Sequence, residues 1–177
     1  MTRPAPQDSA AAARAFGERY DYDISYMLDL LERSAPAYAR YEAFLPMASP
    51  LDTAERTLPL EAFFVAKLSV LLEEDCGPCA QLCLAMAREA QVDGELLSAV
   101  LERGVGLPAA LAEVRRFALA MNAGSDFSPE LGARVEEHYG AAARAELCVL
   151  VAAARVFPAL KRGLGFGQSC AHTPLRV

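Results

Sequence analysis

Cys76-Gly77-Pro78-Cys79, with Cys83 four residues further on, is the part of this sequence best equipped for chemistry. Two thiols separated by two residues can close a small disulfide ring, and their place at the start of a predicted helix matters. Unpaired N–H groups and the helix dipole favour negative charge there, so a thiolate is stabilised. In such pairs the solution pKa of ~8.5 falls to between ~3.5 and ~7.5. The acidic triplet Glu73-Glu74-Asp75 just before the pair acts the other way, because nearby negative charge disfavours a thiolate. The same triplet, Asp75 included, offers a carboxylate that can accept the thiol proton. Cys83 lies one helical turn beyond Cys79 and faces the same side. It reads either as a third redox thiol or as a small apolar filler.

Other readings compete for the pair. Two cysteines can meet by chance at a buried helix start, although Gly-Pro between them argues against it. Structural zinc commonly uses paired Cys-x-x-Cys knuckles, and only one knuckle is present. The remaining Cys148, Cys170, His138 and His172 are far off in sequence, so no metal or other cofactor is expected. Thioredoxin carries the same Cys-Gly-Pro-Cys signature but needs a βαβ setting, and the flanks here read as helices. Glu136-Glu137-His138-Tyr139 reads as a solvated helix end, Cys148 as core, and Cys170 and His172 as tail residues.

The elements that must hold these thiols are helices, punctuated by Pro and Gly. Residues 1–19 read as a loose tail running into a short Ala-rich helix. Asp23 caps a helix through Ile24, Met27, Leu28 and Leu31, and Pro36 opens the next. A long helix with Pro59 in its first turn carries Phe63, Phe64, Lys67, Leu68, Leu71 and Leu72, and ends at the acidic triplet. The cysteine helix runs to about Ala90, and Val92-Asp93-Gly94 starts another to Leu101. Pro108 opens a helix to about Met121, and Ser128-Pro129-Glu130 is a strong start signal. The last helix is expected from about Ala141 to Lys161, with a kink at Pro158. The expectation is a single all-α domain of about eight helices over 20–165, with a mobile tail at 166–177.

Composition agrees. Ala and Leu make up a third of the 177 residues, whereas Ile occurs once and Thr four times. Ala and Leu are strong helix formers, and strands draw on β-branched residues. Apolar residues are 54% of the chain, too many for a disordered one. A net charge of −6 without a Lys/Arg run longer than two residues argues against nucleic acid. The longest apolar run, Leu147 to Ala154, is far short of the ~20 residues that span a bilayer. The N-terminal stretch has no apolar core of a secretory signal, and five cysteines do not suit a disulfide framework. The expected setting is the cytoplasm.

The stretch from Leu58 to Ala90 resembles the AhpD-like alkylhydroperoxidase branch of the carboxymuconolactone decarboxylase family. That family sets Cys-x-x-Cys between two helices of an all-α domain, followed by a Gly-containing turn where Val92-Asp93-Gly94-Glu95-Leu96 stands here. The resemblance covers about residues 25–165, and the cysteine motif is its specific part. It implies that Cys79 is the peroxide-attacking thiolate and Cys76 the resolving partner, closing a disulfide that an external dithiol of lipoamide or thioredoxin type reduces. It also implies a homo-oligomer. The family's proton relay does not carry over: its His position holds Cys83, and its Glu position holds Phe64. Glu61, one turn earlier, is the nearest upstream acid. Glu73, Glu74, Asp75 and Tyr26 are the other groups able to stand in.

The activity expected on these grounds is thiol-dependent hydroperoxide reduction or thiol–disulfide exchange. Loss of both relay positions leaves a non-catalytic redox sensor or ligand-binding scaffold as the alternative. A lactone decarboxylase of the family's other branch is disfavoured, since it works through a His that is not suitably placed here. The aromatic cluster of the first half, including Tyr22, Tyr26, Tyr38 and Tyr41, reads as core or subunit interface more readily than as a ligand box.

Overall fold

A computed structural model of the chain describes residues 6–50, 54–124, 127–167, 175 and 177. The order is α1 (Pro6–Tyr20), α2 (Ser25–Arg33), α3 (Ala35–Phe44), a 3₁₀ turn (Leu45–Ala48), α4 (Leu60–Glu73), α5 (Gly77–Glu89), α6 (Gly94–Leu101), α7 (Ala109–Ala123), α8 (Pro129–Ala154) and α9 (Val156–Gly163). The fold is all-helical, as composition requires, with no strand among the described residues.

Helix α4 is the axle. A helix apolar on every side has no face to give to water, and the ten residues from Ala62 to Leu71 are all buried. Helices α5, α6, α7 and α8 pack around it. Pro59 starts it, while the Glu146 carboxylate on α8 accepts the Thr57 and Leu58 backbone N–H groups at 2.9 and 2.5 Å. A second cluster, built from Tyr22, Tyr26, Met27, Leu30, Tyr38 and Tyr41, fills the N-terminal hairpin and meets Leu82 of α5 and Phe157 of α9.

Three boundaries differ from the sequence expectation. The N-terminal stretch is helical from Pro6 rather than a tail of a dozen residues, with Ala13 buried in the second cluster. Arg19 and Tyr20 hold it to Glu89 of α5, the Tyr20 hydroxyl donating at 2.6 Å. Helix α8 is broken at Gly140 (φ 86°), next to the helix start expected at about Ala141, and its second part stops at Ala154 instead of running to Lys161. Pro158 explains the position, because a proline cannot donate to the carbonyl four residues back, here Ala154, and its ring clashes with it. Within 166–177, Phe166 packs against the second cluster and Leu175 against the main core, while Val177 is exposed. Cys170 and His172 lie outside the described residues.

Candidate active site

The cysteine pair stands where α4 hands over to α5. Asp75 has a left-handed backbone (φ 52°). The Asp75 N–H donates to the Leu72 carbonyl and the Cys76 N–H to Leu71, each at 3.1 Å. This crossed pair closes a helix with the residue past its cap in the left-handed region. Asp75 thus turns the chain so that Cys76 becomes the N-cap of α5, Pro78 fills its first turn and Cys79 follows. The two sulfurs are joined as a disulfide, with Cα atoms 5.3 Å apart. That separation is ordinary for a bridge.

The two cysteines are not equivalent. Both are buried, but Cys79 lines a cavity of about 310 Å³ and Cys76 does not. Tyr22, Tyr26, Tyr38 and Tyr41 form much of the wall, Ala12 and Phe16 of α1 border it, and Leu82 and Cys83 continue it along α5. The aromatic cluster is therefore core and cavity wall at once. Tyr26 and Tyr41 share a hydrogen bond at 3.0 Å, and burial pushes both phenols well above their ordinary range.

Lys67 is the residue that sequence reasoning named only as part of its helix. It sits in the middle of α4, is 8% exposed, and lines the same cavity as Cys79 and Cys83. Its ammonium Nζ donates to the Ala48 carbonyl at 2.7 Å and lies 5.6 Å from the centre of the Phe63 ring. Burial pulls its pKa below the ordinary lysine value, and the neighbouring Cys83 opposes that shift. Cys83 shows the reciprocal effect. Burial raises its thiol to about 11, and Lys67 acts to lower it. At neutral pH Cys83 is a protonated thiol. The signal for Lys67 was legible as a single charge inside Ala62-Phe-Phe-Val-Ala-Lys-Leu-Ser-Val-Leu-Leu72.

The acids read from sequence do not line the cavity. Glu61 is exposed in the first turn of α4, does not line the cavity, and acts on Tyr139. Asp75 is exposed, and its left-handed backbone makes the turn ahead of Cys76. Glu74 is held by Arg162 at 2.8 Å and Arg155 at 3.6 Å, while Glu73 acts on Arg115. The Arg162 guanidinium also donates to the Glu74 carbonyl at 3.1 Å. Arg155 and Arg162 thus set positive charge beside Glu74, and Arg115 interacts with Glu73. His138 is exposed on α8, and Cys148 is half-buried against the main core. Among the described residues no cluster of His, Cys, Asp and Glu could hold a metal ion, and no helix is long and apolar enough to cross a membrane. No family model matches the chain, and neither does any curated protein or solved structure.

Proposed function

We propose that the protein is a thiol-dependent oxidoreductase of the AhpD-like kind, reducing an organic hydroperoxide through Cys79 and Cys76. The observation that carries this reading is the asymmetry of the pair: a bridged Cys-x-x-Cys at a helix start, with Cys79 alone of the two facing an apolar cavity. In the reduced protein the Cys79 thiolate attacks the terminal oxygen of the hydroperoxide. Cys79 becomes a sulfenic acid, and the alkoxide leaves and takes up a proton. The Cys76 sulfur then attacks the sulfenic sulfur, water is released, and the Cys76–Cys79 disulfide closes. An external dithiol reduces the bridge by exchange, so one hydroperoxide and two thiol hydrogens yield one alcohol, one water and one disulfide per turn.

The proposal extends to a cytoplasmic homo-oligomer reduced by a lipoamide- or thioredoxin-type dithiol, supported by the family resemblance. Turnover tests it. Protein supplied with cumene hydroperoxide and excess dihydrolipoamide is expected to consume both in equal amounts, whereas Cys79→Ser consumes neither. Equal turnover in the Cys79→Ser variant overturns the reading.

A further inference from the structure

We propose that Lys67 is the proton carrier of this site, taking the proton from Cys79 and returning it to the leaving alkoxide in place of the relay that Phe64 and Cys83 interrupt. This inference rests on the thiol reading above and adds the residue that makes it workable inside an apolar pocket.

Placement comes first. Lys67 projects from the central helix into the cavity that Cys79 lines, and its recorded hydrogen bond is to one backbone carbonyl, that of Ala48. An ammonium has three protons to donate. No described carboxylate forms an ion pair with Lys67. An unpaired charge in such a place is costly, so a lysine held there favours its neutral amine, a base. Cys83 sits next along the same face of α5, one turn beyond Cys79, and already acts on Lys67.

Need comes second. Burial drives thiols toward the neutral form, as Cys83 shows at about 11. Cys79 is 5% exposed and shares that wall. The helix start favours its thiolate, but the other described titratable groups facing the cavity supply no cation. They are Glu42 of α3, the four tyrosines and Cys83. Lys161, outside the lining, donates to the Tyr22 hydroxyl at 3.3 Å. Among the described residues, Lys67 is the basic group lining the cavity, and it becomes a cation there by taking up the Cys79 proton.

The proton balance closes. The Cys79 thiol passes its proton to the Lys67 amine, giving a thiolate and an ammonium. The thiolate takes the terminal oxygen as OH, and the alkoxide receives the proton from Lys67. The amine is restored and the alcohol leaves.

The test uses the fully reduced chain, with Cys79 thiolate followed by absorbance at 240 nm and by iodoacetamide alkylation mapped to Cys79 across pH. Lys67→Met is expected to raise the Cys79 midpoint by about one unit and slow alkylation at pH 7 roughly tenfold. Lys67→Arg, which keeps a cation but cannot give up its proton, is expected to retain the thiolate yet lose rate with cumene hydroperoxide. Near-UV circular dichroism checks that both variants are folded. An unchanged alkylation pH profile in Lys67→Met overturns the inference, and so does full peroxide turnover in Lys67→Arg. If Cys79 ionises in a Lys67-dependent way but the wild type leaves hydroperoxide intact, the proposed function fails, whereas thiol activation by Lys67 stands.

Discussion

A primary amine and a thiol buried side by side make stability depend on pH in opposite senses. The Cys83 thiol is raised from 9.0 to about 11. Below pH 9 it is neutral in the folded and unfolded chains. Between 9 and 11 the unfolded chain ionises first and binds fewer protons, so stability falls as pH rises. For two units the loss is up to about 2–3 kcal/mol. Lys67 is lowered from 10.5. In the window below that value the unfolded chain binds more protons, so stability rises with pH. Urea unfolding of the oxidised protein from pH 7 to 11 is therefore expected to show a smaller alkaline loss in Cys83→Ala than in wild type, and a larger one in Lys67→Met. Glu61 gives a contrasting expectation. Exposed and outside the cavity, its change to Gln should alter the rate of Cys79 oxidation by less than about twofold, measured by stopped flow.

At the scale of elements, helix ends carry much of the placement. Asp75, Gln91 and Arg103 each close a helix from the left-handed region, where glycine is the easy choice. The N–H groups after these residues, at Cys76, Val92 and Gly104, return to Leu71, Ala87 and Ala99. Gln91→Gly and Arg103→Gly are each expected to stabilise the fold by about 1 kcal/mol in thermal unfolding. Asp75→Gly should do likewise while preserving peroxide reactivity, because the carboxylate is exposed and only the turn is needed. Glu146→Ala should cost about 1–3 kcal/mol, since it strips the acceptor from two N–H groups at the entrance of α4.

These same ends explain what could be read beforehand. Where Pro, Gly or Asp did the punctuating, as at Pro59, Asp93-Gly94 and Ser128-Pro129, the helix starts fell within a residue or two of their observed places. The extent of α1 escaped, because an Ala-rich stretch after two prolines has no apolar stripe to mark it. The cysteine pair was legible from spacing alone. The cavity was not, since the tyrosines that wall it come from separate helices and their meeting depends on packing. Lys67 was visible as one charge in an apolar helix, but its proximity to Cys83 required α4 and α5 to be set against each other.

For the whole molecule, α1 closes one side of the cavity, pinned by Arg19 and Tyr20 to Glu89. Ala12 is exposed at that border. Ala12→Trp is expected to slow cumene hydroperoxide roughly tenfold while leaving hydrogen peroxide within about twofold, compared by initial rates. The most direct test of the central claim is disulfide mapping by mass spectrometry after the reduced chain meets one equivalent of cumene hydroperoxide. The account predicts a Cys76–Cys79 bridge within seconds, opened again by dihydrolipoamide, with Cys83 still a free thiol. Both thiols remaining reduced after prolonged exposure contradicts it.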